Sequence, residues 1–425
     1  MNKSKIIVTL VAFAALAGLG VVLWQPATTG LAQLWSPLPT PIPIVPTPLP
    51  TLTPYIPETP PPVPTPLPTP AVTPIPEAEP PFIPGLEDAV PQPFHIVLRE
   101  GNKVWTVNSD GSDRRLLIDT EDKAGLYLGH YPVQGIEGPP LRWGSVSPDG
   151  TKLALVVTDL WEVEYKGQPY GWQICLFDIQ TGEFHFLVEG REPVWSPDGT
   201  RIAYVWGSGL WVADAISGEV KELFPVEEGY WVRDMAWSPD GRRIAFLHQE
   251  ASLGGSPEML LTSVDGSEST TRLIPPTTWA MWGTAWFSSG KRILYVFPEA
   301  EPTGQHFDNL WTVNVETRTS VPLTTQVIVS SFALSPSDGD WIAFVGKLPY
   351  EAEPSPLNDL WLLRGDGSLL LCLTRDSTSD RGPQWSPDGT QIVFRRENEG
   401  LWVLNLIDGS LKQVYASSAD FEVTR

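Results

Sequence analysis

The chain has 425 residues and a formal charge of −22, from 28 Lys and Arg against 50 Asp and Glu, an acidity that repels phosphate backbones and excludes a nucleic-acid partner. Charged residues are only 18% of the chain and aromatic residues 10%, with 19 Trp, which excludes a disordered acidic polymer and supplies a large apolar core. Two Cys exclude a disulfide framework and a Cys-rich zinc site.

In chain order, the first predicted element is an N-terminal hydrophobic helix. Lys3 and Lys5 precede Ile6–Trp24, a stretch without charge that at helical rise reaches roughly 28 Å, about the thickness of bilayer hydrocarbon. Residues 1–30 are therefore assigned to a signal-anchor, with the basic start in the cytoplasm and the rest exported. That reading makes a single-pass cell-membrane protein with its body on the extracytoplasmic side. A cleaved signal would make it secreted, but the small residues Ala12, Ala14, Ala15, Ala17 and Gly18 lie inside the apolar run, and only a loose Ala27-Thr28-Thr29-Gly30 follows it.

Residues 31–93 form a Pro/Thr-rich linker. Segments such as PLPTPIPIVPTPLPTLTP remove backbone donors and favour polyproline II, so this stretch reads as a stiff stalk.

Residues 94–425 hold an internal repeat. GSVSPDGTKLALVV begins at Gly144, PVWSPDGTRIAYVW at Pro193, MAWSPDGRRIAFLH at Met235, TAWFSSGKRILYVF at Thr284, FALSPSDGDWIAFVG at Phe332 and PQWSPDGTQIVFRR at Pro383. The aligned glycines, from Gly150 to Gly389, recur at intervals of 49, 42, 49, 49 and 50 residues, the length of a four-stranded propeller blade. Ser-Pro-Asp-Gly is turn chemistry: Pro presets φ, Asp suits the second central position and Gly takes the left-handed residue after it. The copies Phe287-Ser288-Ser289-Gly290 and the one extended at Ser337 are expected to turn more loosely.

Each turn leads to a run apolar on both faces, such as Ile202-Ala203-Tyr204-Val205, and then to a Leu-Trp-Val-type strand, as at Leu210, Leu310, Leu360 and Leu401. The same signature occurs once before any turn motif, in HIVLREGNKVWTVNSDGSDRRLLI from His95 to Ile118. That unit lacks a first strand, and Phe421-Glu422-Val423-Thr424 can supply it. The expected fold is all-β, a propeller of seven four-stranded blades closed by the C-terminal strand, which abolishes exposed sheet edges. Six blades, with His95–Ile118 outside the ring, is the alternative.

The WSPDGTRIAYV-type segments together with VWTVNSDGSDRRLL resemble the WD-repeat-like units of the TolB-like propeller family, over nearly all of His95 to Tyr415. The resemblance implies a β-propeller of the kind found in export-linked envelope proteins and in serine peptidases. TolB proteins have six such blades beside a small α/β domain, whereas this chain has repeats for seven and a linker.

Candidate site residues come from repeat positions that packing does not explain. Arg142, Arg191, Arg233 and Arg381 share one slot, four residues before the residue that precedes the turn motif; Trp282 and Ser330 fill it elsewhere. In a closed ring these positions converge, so the arginines are expected to form a collar for an anionic ligand. Pairing of each with a local acid, for which Glu192, Asp234 and Asp380 are adjacent, is the competing expectation. Trp143, Tyr230, Trp231, Trp279 and Trp282 lie in loops leading into first strands, where aromatic rings either stack on a sugar or peptide or pack under loops.

No catalytic residue is assigned. There is no Gly-x-Ser-x-Gly elbow, and His95, His130, His185, His248 and His306 lack metal-ligand spacing. No metal and no cofactor are expected, and Cys175 and Cys372 read as buried small hydrophobes. The function expected is a non-enzymatic binding or scaffolding propeller outside the cytoplasmic membrane, with a protein, peptide or glycan ligand at the channel face and the N-terminal helix in the membrane. The alternative is a propeller enzyme, of hydrolase or lyase type, acting on an extracellular glycan or small molecule. It would need two carboxylates about 5–9 Å apart at the channel mouth.

Overall fold

The computed structural model describes residues 80–425 except 81, 87, 120–125, 129–143, 160–170, 228, 251–255, 278–280, 301–305, 337–339, 349–356, 376–377, 418 and 425. The hydrophobic stretch Ile6–Trp24, the linker up to residue 79, and Arg142, Trp143 and Trp279 lie outside the described residues. Among the described residues every regular element is a β-strand, and no helix is long and apolar enough to cross a membrane.

The strands fold as successive antiparallel meanders of four. In one of them Arg191–Trp195, Arg201–Trp206, Gly209–Asp214 and Val220–Phe224 pair in that order. The turn motif fixes the first hairpin. Ser196 Oγ donates to Asp198 Oδ1 at 2.6 Å and accepts the Arg201 N–H at 2.9 Å, while Gly199, at φ 69°, donates its N–H to Ser196 O. Partial burial pushes the Asp198 carboxyl upward, but the Ser196 hydroxyl and the Thr200 amide outweigh it and hold it below the usual carboxylate range. The same bonds recur at Asp149, Asp240 and Asp388. At Phe287-Ser288-Ser289-Gly290 the Gly290 N–H still bonds Phe287 O at 2.9 Å. There the carboxylate is gone, and the Lys291 N–H reaches only Ser289 Oγ, at 3.4 Å.

The apolar second strands lie between neighbouring sheets. Ile202, Ala203, Tyr204 and Val205 are all buried; Val205 and Ala203 pack with Trp237, Ile244 and Phe246 of the following sheet, and Ile202 and Tyr204 with Ala154 and Ile174 of the preceding one. Burial of such side chains contributes roughly 1.5–3 kcal/mol each. A second link is polar. In four of the six units a Trp precedes the turn motif and donates its indole N–H to a carbonyl of the preceding sheet: Trp195 to Ser145, Trp237 to Val194, Trp286 to Ala236 and Trp385 to Ala333, at 2.9–3.1 Å.

The run of sheets closes on itself. Asp420–Thr424 pairs antiparallel with His95–Glu100, placing Val423 opposite Ile96 and Asp420 opposite Arg99. Ile96, Leu98 and Phe421 share a core with Val393, Leu401 and Val403 of the last sheet. Val423 has no indole to give, and Gln384 of the last sheet supplies the link instead: its Nε2 donates to Phe421 O and its Oε1 accepts the Val423 N–H, both at 2.9 Å.

Three details depart from a plain repeat. The sheet containing Lys152–Asp159 has its first strand in two pieces, Leu126–Leu128 and Gly144–Val146. Phe82 and Ile83, in the Pro-rich stretch, are buried against Trp341, Leu404 and Leu406, with the Phe82 N–H on Leu406 O and the Gln92 N–H on Asp388 Oδ2. Cys175 is buried, its thiol pushed up to about 11 by desolvation, but Cys372 is only half-buried, its thiol on Thr374 O. It ends on a sheet's short outer strand, so the expectation of two buried cysteines holds for one.

Candidate functional site

The slot residues stand at the end of the first strands away from the turn motif, the loop end. Their register is common: Arg191 faces Val205, Arg233 faces Leu247, Trp282 faces Val296 and Arg381 faces Arg395. A bulge follows each, and the next residue is left-handed: Glu192 at φ 57°, Asp234 at 51°, Gly283 at 68° and Gly382 at 57°. Two glycines suit that geometry, and two acids adopt it at a conformational cost.

Ion pairs offset the cost. Arg191 Nη1 meets Glu192 Oε1 at 2.5 Å, and its guanidinium lies over the Trp172 ring. Every nitrogen of Arg233 is bonded: Nη1 to Asp234 Oδ2 at 2.8 Å, Nε to Gln249 Oε1 at 2.9 Å and Nη2 to Met281 O at 2.8 Å. Asp234 also accepts the Gly283 N–H of the next sheet, at 3.1 Å. Arg381 differs. Its side chain is 60% exposed and touches Glu397 only at 3.5 Å, while Asp380, its adjacent acid, is buried and pairs with Arg396. Of the remaining slots, Ser330 donates to Val345 O and Trp282 packs tilted against Phe332.

The aromatic candidates separate in the same way. Tyr230 and Trp231 remain exposed, at 36% and 38%. Tyr230 stacks on His248, with centroids 5.0 Å apart and planes at 19°. His248 in turn sits edge-on to Phe224, and its Nδ1 lies 3.0 Å from Glu258 Oε1. Arg272 Nε holds the other oxygen of Glu258. Burial pushes the Glu258 carboxyl upward, yet the bonds from His248 and Arg272 outweigh it and leave it below the usual range. Tyr230 is therefore backed by a fixed column of rings and charges, whereas Trp231, the next residue of the same strand rather than of a loop, projects from the opposite face.

Glu258, Arg272 and the role of His248 are not visible in the repeat, because they lie on second, third and fourth strands that vary from unit to unit. Asp420 is also missed. It fills the slot of the closing strand, clamped by Arg99 at 2.6 Å and Arg395 at 3.2 Å. The five-residue closing strand carries no turn motif by which to align it.

Two carboxyls are pushed upward by burial, Glu299 and Asp308. Glu299 faces Phe307 and Asp308 faces Pro298 across one hairpin, so they project from opposite faces and do not form a pair. Among the described residues no three His, Cys, Asp or Glu gather as a metal group. At the turn end, a cavity of 570 Å³ lies among first strands, lined by Phe332, Gln384, Glu422 and Val423 with the turn prolines Pro148, Pro336 and Pro387.

No protein-family model matches the chain, and no curated protein matches it in sequence. Solved structures do resemble it. An oligogalacturonate lyase in complex with manganese superposes with a TM-score of 0.54 at 13% identity, over 77% of this chain and 85% of that one. An oligogalacturonate lyase from Vibrio parahaemolyticus gives 0.55 at 12%, over 74% and 85%. The acylaminoacyl peptidase of Pyrococcus horikoshii gives 0.50 at 17%, over 65% and 46%. At such identities the likeness extends to the fold alone: repeated four-stranded meanders, packed face to face and closed on themselves, make this chain a β-propeller.

Proposed function

We propose that the chain is a seven-bladed, TolB-like propeller, anchored outside the cytoplasmic membrane by its N-terminal helix, that binds a protein, peptide or glycan ligand at its loop end without turning it over. The seven blades follow from joining Asp420–Thr424 to His95–Asp119 and adding one blade for each turn motif. The observation that carries the binding reading is the exposure of two large rings, Tyr230 and Trp231, at the start of one first strand, with Tyr230 held from behind by His248, Glu258 and Arg272. Rigid, half-exposed aromatic anchors lose little entropy on binding. Arg381, the one described slot arginine that is largely exposed, is the candidate for charge recognition. Phe82 and Gln92 are fastened at the turn end, on Leu406 and Asp388, away from the loop end.

The test is a panel of neutral and acidic oligosaccharides and peptides, followed by tryptophan fluorescence and calorimetry. A ligand should be captured by the parent and lost in Tyr230→Ala with Trp231→Ala, at an unchanged melting temperature. Capture that survives the double substitution would remove the loop end as the site. Conversion of a panel member to product would replace the binding reading with the enzymatic one.

A further inference from the structure

We propose that the seam between the last and first blades carries an anion subsite, formed by Arg381 and Arg395, for a carboxylate or phosphate group. It deepens the loop-end reading and rests on it for the identity of the larger ligand. Arg381 and Arg395 are direct cross-strand partners, and like charges so placed oppose sheet formation. The position of Arg395 is held by Val205, Leu247 and Val296 in three other blades. The fold thus has no need of a cation there. Arg99 takes the equivalent position in the first blade, opposite Asp420.

Among the described residues, Asp420 and Glu397 are the carboxylates that meet Arg381 and Arg395, and they do not use up the donors of these two guanidiniums. Asp420 divides its oxygens, Oδ2 to Arg99 and Oδ1 to Arg395. Glu397 reaches Arg381 weakly, and Nε of Arg395 is buried without a hydrogen bond. A guanidinium carries five N–H donors in a planar fork, so an oxyanion held between Arg381 and Arg395 gains charge-assisted bonds and relieves their repulsion. Two guanidiniums set directly opposite each other in a chain of net charge −22 focus anions at this seam. Because Asp420 belongs to the closing strand, an anion that orders Arg395 also strengthens the closure, and binding should raise stability by linkage.

The experiment is calorimetry on the whole protein with inorganic phosphate, and separately with glucuronate, at about 20 mM and about 150 mM salt, since screening separates surface charge attraction from buried contacts. Phosphate or glucuronate should bind at low salt, weaken at the higher salt and raise the melting temperature. Whichever probe binds more tightly assigns the group. Arg395→Val, which installs a residue other blades already carry, should lower affinity at least about tenfold while the melting temperature stays or rises. Arg381→Gln should act in the same direction. Arg233→Gln should lower the melting temperature and leave anion affinity unchanged. A parent that binds neither probe at low salt, or an Arg395→Val protein that binds as tightly as the parent, overturns the subsite. Capture by Tyr230 and Trp231 is measured independently, so loss of one reading leaves the other standing.

Discussion

Arg233 and Arg381 occupy one repeat slot and one register, opposite equivalent second-strand positions and ahead of the same left-handed bulge. Arg233 spends every nitrogen on neighbours: Asp234 beside it, Gln249 across the sheet and Met281 in the next blade. Arg381 stands largely in solvent, with Gly382 rather than an acid after it and a distant Glu397. The difference shows that a repeat position determines where the backbone goes, while the residue one step further along decides whether a cation there is structural or available. An acid at the bulge ties the arginine down and bonds the next blade. A glycine leaves it loose.

The largest effect that would break this contrast is on stability. Arg233→Ala should cost about 2–3 kcal/mol, because it strips three bonds and leaves Asp234 without its cation in a left-handed conformation. The urea midpoint reports it, and a change below about 0.5 kcal/mol would make Arg233 as dispensable as a surface residue. The closing strand is expected to depend on Gln384 instead. Gln384→Leu leaves Phe421 O and Val423 N–H unpaired and should cost about 1–2 kcal/mol. Hydrogen exchange should then quicken at Phe421–Thr424 ahead of every other strand, and uniform exchange would deny Gln384 its part in closure.

Acid titration sharpens the contrast at the aromatic pair. The Glu258 carboxyl lies below its ordinary value in the folded protein, so the stability it contributes is present above the unfolded pKa of about 4.3 and is lost as pH falls through the lower folded value. Glu258→Gln should flatten that part of the acid limb and loosen Tyr230, raising its fluorescence anisotropy decay. An unaltered acid limb would count against the column. A smaller gain is expected where a turn lacks its motif. Ser288→Pro with Ser289→Asp should stabilise by about 0.5–1 kcal/mol, by lowering unfolded-chain entropy and restoring a carboxylate acceptor. The smallest effect is Arg381→Ala, within about 0.5 kcal/mol of the parent, read in the same urea titration.

Much of the architecture is legible in the residues themselves. Ser-Pro-Asp-Gly announces its hairpin because all four side chains or their absence act locally, and the bonds from Ser196 to Asp198 stay within five residues. The unit from His95 to Ile118 likewise points to a strand from elsewhere, since an apolar second strand needs a partner on its open side. The slot arginines are legible as a pattern, but their environments are not. The acid or glycine one step after each arginine can be read in the sequence, but the further partners of Arg191, Arg233 and Arg381, which are Trp172, Gln249 and Glu397, come from other parts of the sheets in stretches without a repeat. Arg395 and Asp420 escape for the same reason, as their meeting depends on the chain's two ends coming together.

The docked segment before His95 also has a mechanical consequence. The strand His95–Glu100 is the one that the C-terminal strand zips onto, so tension entering the chain at His95 would pull straight on the clasp of the ring. Phe82 and Gln92 are fastened to Leu406 and Asp388 first, with Phe82 and Ile83 sunk between the sheets of Trp341 and Leu404. A pull from the linker is thereby borne by a packed core in shear, and the clasp stays unloaded, as a cable's strain relief spares its solder joint.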